Sequence, residues 1–236
     1  MHVRRTVAAS LLAGFLLLGA ACGDDEPRAA AAPSGSQQQA TAATNQLRPA
    51  DLRQELRRLW EDHITWTRLY IVSALSGLPD ANVTAERLLR NQDDIGNAIQ
   101  PFYGDEAGKK LTELLRGHIT GAAELLGAAK AGDQEKLAAA KTAWYGNGDE
   151  IATFLSQANP QNWPLDSVKS MMRGHLDQTI AEAVHRLEGK HADEIADYDQ
   201  IKAHILAMSD TLSGGIVAQF PDRFSAEAPS GSAMKH

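Results

Sequence analysis

A single cysteine, Cys22, stands in 236 residues, which excludes an internal disulfide framework. Prolines number only 9, and none falls between Pro101 and Pro160 or between Pro164 and Pro221, so long uninterrupted helices have room to form. No run of β-branched and aromatic residues alternates with polar ones as a strand would require. Basic excess is missing as well. The formal charge is −7, no basic stripe interleaves with aromatics, and a nucleic-acid partner is excluded on that ground. There is no P-loop and no dinucleotide fingerprint, and Ser209 and Ser213 lack a GxSxG setting. Carboxylates are plentiful, but no pair is singled out for glycoside hydrolysis. An envelope hydrolase is therefore the least supported class, and no catalytic residue is assigned.

What is present begins with an export pattern. A short basic start, "MHVRR", precedes the 15-residue apolar run "VAASLLAGFLLLGAA", too short for a comfortable membrane span and typical of a signal. Cys22 follows directly. The segment "LLGAAC" resembles the lipobox of bacterial lipoproteins, in which the cysteine is lipidated and becomes the new N-terminus. Ala20 and Ala21 fit that pattern; Gly19 stands where a branched apolar residue is usual, with Leu18 one place early. The resemblance implies residues 1–21 as a signal peptide and an acylated (palmitate-bearing) Cys22. It places the protein outside the cytoplasm, lipid-anchored to the cell membrane or the outer membrane. An ordinary cleaved signal with an incidental cysteine is the other reading. Residues 22–47, rich in Ala, Gln, Ser and Pro, hold too little apolar surface to fold and are expected to form a disordered tether, as is the tail 225–236. The folded domain is expected over 48–224.

Within that domain the apolar residues recur at helical spacing. Leu111, Leu114, Leu115, His118, Ala122, Leu125 and Ala129 form one stripe; Leu137, Ala140, Trp144, Asn147, Ile151 and Phe154 form another; Val168, Met171, Met172, His175 and Thr179 form a third. The breaks predict six helices, at roughly 50–76, 83–99, 105–130, 133–157, 165–188 and 192–218. Asp105, Asp133 and Asp166 are the expected N-caps, with Thr84 a weaker one. The fold class is all-α: three antiparallel helical hairpins, repeats of about 50–101, 105–160 and 165–221, packed as a six-helix bundle.

The repeat is visible in its histidines. "WEDHITW", "LLRGHIT" and "MMRGHLD" carry His63, His118 and His175 at separations of 55 and 57 residues. Asn91, Asn147 and His204 follow them by 28, 29 and 29 residues. In an antiparallel hairpin, residues equally far from the turn share a height. Each hairpin therefore brings a histidine beside an asparagine or histidine, and the six form one polar layer if the hairpins pack together. Asp94 and Glu150, three residues beyond Asn91 and Asn147, are expected within reach of it. Buried polar groups must be satisfied. Two solutions stand open. The layer fixes register by internal hydrogen bonds, or imidazoles and carboxylates converge on a transition metal (zinc, copper, iron or nickel) or another small ligand. None of the layer's four histidines belongs to an HxxxH, HxxxE or ExxH pair. His185 and His191 flank a turn and are expected to be solvated. Met171, Met172 and Met208 read as core filler.

The stretches "WEDHITWTR", "LLRNQDDIGNAI", "WYGNGDEIATFLSQANP" and "LSGGIVAQFP" resemble a family of exported bacterial all-helical proteins of unsettled function, over roughly residues 55–224. Members often carry enzyme names such as glycosyltransferase or acetylglutamate kinase. This chain has neither a nucleotide-sugar site nor an α/β kinase pattern, and the resemblance carries no catalytic residue over. Two uses are expected. One is a membrane-tethered envelope protein that binds a metal or small ligand through the histidine layer. The alternative is a structural or protein-binding envelope lipoprotein with a hydrogen-bonded polar core.

Overall fold

The computed structural model describes residues 47–225. Signal, tether and tail, and Cys22 with them, lie outside the described residues apart from Leu47 and Ser225. The domain is all-helical: α1 (Pro49–Ser76), α2 (Ala81–Tyr103), α3 (Asp105–Ala131), α4 (Gln134–Ala158), α5 (Leu165–Leu187) and α6 (His191–Gln219), followed by a 3-10 turn at Pro221–Arg223. The hairpin turns after α1, α3 and α5 close on Gly77, Gly132 and Gly189, each at a positive φ near 70° that a side chain would strain. Asp133 caps α4 by accepting from the Lys136 amide at 3.1 Å. The other expected caps are corrected. Asp105 and Asp166 already lie in the first turns of α3 and α5, where their charge meets the positive helix end, and Thr84 is buried inside α2. Pro101 does not end α2 either; the helix runs on to Tyr103, its last turn tolerating the lost amide.

Successive helices pack side by side, and α6 returns to α1, so the six form a closed ring; α1 also touches α3 and α5 across the axis. The repeat fixes what each level contains. Seven residues before the histidines come Leu56, Leu111 and Val168, three before come Trp60, Leu115 and Met172, and one after come Ile64, Ile119 and Leu176, all buried. Eight residues after come Ile71, Leu126 and Ala183, also buried. Burying such side chains stabilises the bundle by about 1.5–3 kcal/mol each. On the outside, an ion pair joins each hairpin to the next. Arg116 reaches Asp93 at 3.0 Å, Arg173 reaches Asp149 at 2.9 Å, and Lys202 closes the ring on Glu61 at 2.6 Å with the charges exchanged. These pairs are partly exposed and contribute little energy each; their positional repetition favours the observed order of hairpins.

The two ends of the bundle differ. At one, Leu47 and Phe224 form a bridge and the Ser225 amide donates to the Leu47 carbonyl at 2.9 Å. Trp163, Tyr103, Phe102 and Phe220 close that end. The three hairpin turns gather at the other, where Lys130 Nζ donates to the Ala74 carbonyl at 2.6 Å and Arg186 to Ser76 at 2.7 Å. Among the described residues, no helix is long and apolar enough to cross a membrane.

Candidate metal centre

His63, His118 and His175 come from α1, α3 and α5, one from each hairpin, and meet in the middle of the ring. A ring nitrogen of each lies within 4.8 Å of one from each of the others. The ring centroids are 5.7, 6.0 and 6.4 Å apart, close to an equilateral triangle. All three side chains are buried, at 2–3% exposure. Trp144 stacks on His118 at 5.0 Å, and Trp60 meets His63 edge-on at 5.5 Å.

The residues 28 or 29 positions on have a different task. Asn91 Nδ2 donates to the Leu59 carbonyl at 3.0 Å, Asn147 Nδ2 to Leu114 at 3.1 Å, and His204 Nε2 to Met171 at 2.8 Å. Leu59, Leu114 and Met171 each stand four residues before their hairpin's histidine. The same pin thus occurs three times, tying the second helix of a hairpin to the first. Gly117 and Gly174, in the repeated "RGH", lie against it, with an ordinary contact at Gly117 and a tight one at Gly174. A Cβ there would lie 3.4 Å from Asn147 Nδ2 and 3.2 Å from the His204 ring. His204 is therefore a pin and stands outside the triad, against the expectation that four histidines converge. Asn91 and Asn147 are also pins. Asp94 and Glu150 are corrected too: both are exposed, and neither joins the cluster.

The three histidines differ in what holds them. Asn147 Nδ2 is committed to Leu114, so its Oδ1 accepts from His118 Nδ1–H at 3.1 Å. That bond fixes the tautomer and leaves His118 Nε2 with the free lone pair, the arrangement that orients a metal-ligating imidazole. In the first hairpin Asn91 Oδ1 accepts from Gln92 Nε2 at 3.1 Å instead. In the third, the pin is an imidazole and has no carbonyl to offer. His63 Nδ1 and His175 Nδ1 consequently have no hydrogen-bond partner among the described residues. Gln92, which sequence reasoning passed over, is wholly buried beside Asn91. It diverts the one acceptor His63 would have used.

Burial holds all three imidazoles neutral. It pushes His63 down to about 3, with the charge of His118 adding and the Gln92 carboxamide opposing. Gln92 Oε1 nevertheless makes no hydrogen bond to His63, and both atoms stay unpartnered. Burial pushes His118 down to about 4 against the favourable bond to Asn147. His175 falls well below 6.5 by burial, then by the charges of His63, His118 and His204. Neutral imidazole is the ligating form.

On the turn side of the histidines lies a cavity of ≈ 20 Å³. Its walls include Thr67, Ala122 and Thr179, one turn beyond the three histidines, and Ile71, Leu126 and Ala183 cover it. The two threonine hydroxyls are turned back to the carbonyls of His63 and His175, at 2.7 and 2.9 Å, while Trp144 Nε1 takes the His118 carbonyl at 2.9 Å. That volume accommodates about one water-sized occupant, since a water needs roughly 10–15 Å³ on this measure. It is too small for an organic ligand.

A second polar cluster lies nearer the turns. Arg68 reaches Glu182 at 2.7 Å and Glu194 at 3.0 Å; Arg186 and His191 complete Glu194. His185 binds Asp197 at 2.6 Å and is half-buried, against the expectation that it is solvated, whereas His191 is exposed as expected and also reaches Glu194 at 3.2 Å. No family model matches the chain, and no curated protein or solved structure gives a significant match, so the family resemblance rests on the sequence stretches alone.

Proposed function

We propose that this protein binds one transition-metal ion at the centre of its helical ring through His63, His118 and His175. The domain would be held at the cell envelope by a lipid on Cys22. The observation that carries the metal reading is the triad. Three neutral imidazoles from three helices face one another at near-ligand spacing, two have unpartnered Nδ1 atoms, and room for one small occupant adjoins them. A tetrahedral or trigonal metal with bonds of about 2.0–2.1 Å needs nitrogens roughly 3.3–3.6 Å apart. The rings of His63 and His175, unrestrained at Nδ1, can close that gap. Three protein ligands with space for a fourth is the pattern of an open site.

The test is a melting experiment on tag-free protein, stripped with a chelator and then resupplied with single metals. A metal at about 100 times its Kd adds about 2.7 kcal/mol, a rise of roughly 5–10 °C for a domain of this size. The rise should vanish when His63, His118 or His175 is replaced and persist when His185 or His191 is. An equal rise in all five variants would dismiss the centre.

A second reading has one observation in its favour, the His118–Asn147 bond. In it the layer only sets helix register, and the domain serves as a structural or protein-binding element of the envelope. It leaves the other two imidazoles without partners, which is why the metal reading is preferred.

The tether is tested separately. Cys22→Ser should leave the protein exported but move it from the membrane to the soluble fraction. Unchanged sedimentation with membranes would count against the lipid.

A further inference from the structure

From the donor set and its surroundings, and resting on the metal reading above, we infer that the ion this site selects is monovalent copper, Cu(I), held in trigonal coordination by His63, His118 and His175. Four features narrow the choice. First, the cluster contains no carboxylate and no thiolate; among the described residues its donors are three imidazoles and nothing else. Non-haem iron sites of the open kind use a carboxylate beside two histidines, which is missing here. Second, three donors arranged around an axis cannot supply the four equatorial ligands that Cu(II) and Ni(II) prefer. Both Zn(II) and Cu(I) have filled d shells, impose no such geometry and accept three imidazoles.

Third, charge separates those two. The free energy of moving an ion from water into a medium of low dielectric constant grows with the square of its charge, so a divalent ion is about four times as costly as a monovalent one. Carboxylate ligands normally offset that cost. Here the nearest buried carboxylates, Glu182 and Glu194, are already committed to Arg68, Arg186 and His191 in the cluster nearer the turns. Asp94 and Glu150 point to solvent. Fourth, the neighbouring cavity is walled by apolar side chains and by threonines whose hydroxyl protons are spent on backbone carbonyls. Apart from the Tyr70 hydroxyl, it offers no donor to steady an anion accompanying Zn(II). A singly charged ion that is content with three neutral ligands suits this enclosure best.

The experiment titrates the full chain, free of any affinity tag, under anaerobic conditions with Cu(I) supplied as its acetonitrile complex. A chromophoric Cu(I) chelator competes, and Zn(II) is titrated in parallel against a chromophoric Zn(II) chelator. One Cu(I) per chain is expected, bound at least 100-fold more tightly than Zn(II). Quenching of indole fluorescence should accompany it, because Trp144 and Trp60 pack on two of the ligand rings. His63→Leu, His118→Leu and His175→Leu should each weaken Cu(I) binding 100-fold or more, with helical content checked by circular dichroism. His204→Asn, which installs the pin used in the other two hairpins, should leave affinity within a few-fold. Zn(II) binding as tight as Cu(I) or tighter, lost with the same three histidines, would overturn the copper assignment while leaving a metal centre. Binding of neither ion, or Cu(I) binding indifferent to the three substitutions, would remove both.

Discussion

Between pH 7 and pH 4 the metal-free domain is expected to lose several kcal/mol of stability and to unfold cooperatively in acid. His63 and His118 have folded-state values of about 3 and about 4 against an ordinary 6.5, and His175 is displaced in the same direction. As pH falls below 6.5 the unfolded chain binds protons at these positions and the folded chain does not. Stability therefore rises with pH through this window and is fully present only above about 6.5. By pH 4 His63 and His118 each account for about 3 kcal/mol, at 1.36 kcal/mol per pH unit. Glu182 works the other way. Burial raises it to about 7, so between 7 and 4.5 the folded state takes up the proton first and gains stability as pH falls. That offsets about one histidine and leaves the net trend unchanged. Urea unfolding followed by circular dichroism at pH 7, 5.5 and 4.5 measures the effect. His175→Leu should reduce the slope by up to one proton. A stability curve flat across this range would mean that the imidazoles are not desolvated as the fold places them.

How the site was assembled was partly legible in the chain. The separations of 55, 57, 28 and 29 residues put six residues at one height, and the structure has them there in two sets, three central histidines and three pins. What the spacing could not resolve is direction around each helix. At 100° per residue, Asn91 and Asn147 flank the core face. The residues four places on, Ile95 and Ile151, rotate into the core and are buried. Those three places on, Asp94 and Glu150, rotate away from it and meet solvent. One position along the chain thus separates a candidate ligand from a surface acid. The pins were hidden for another reason. Asparagine and histidine each supply an N–H, so they look unlike as ligands yet perform the same bond to a backbone carbonyl. The "RGH" of the second and third hairpins held a clue, since a glycine beside each histidine marks where the pin lies close. The ion pairs between hairpins were also readable in principle. Arg116 and Arg173 stand two before a histidine, and Asp93 and Asp149 stand two after a pin. Each pair, however, joins different repeats, and alignment within a single repeat does not pair them. Proline usually stops a helix, yet Pro101 stands two residues before the last residue of α2, which forgoes the bond its amide would have made and runs on to Tyr103.

Replacing His175 with leucine is expected to stabilise the metal-free protein by about 1 kcal/mol, whereas His118→Leu is expected to cost about 1–3 kcal/mol. The contrast follows from what each ring leaves behind. His175 Nδ1 is buried with no partner, so its removal ends an unreturned desolvation cost, and a leucine of similar bulk adds apolar contact with the cavity wall. No acceptor is orphaned, because the residue at the pin position is His204, already bonded to Met171. His118→Leu removes the donor to Asn147 Oδ1 and strands that oxygen in the interior. His63→Leu should resemble His175→Leu, since Asn91 Oδ1 keeps its bond from Gln92. Urea unfolding at pH 7.5 in the presence of a chelator gives the three values directly. A layer kept only to fix helix register would lose stability at all three positions. A layer kept to hold an ion retains two destabilising imidazoles because binding needs them, and proteins commonly carry such costs at functional sites. Losses of equal size at His63, His118 and His175 would therefore decide for the structural reading, and a gain at His63 and His175 with a loss at His118 decides for the site.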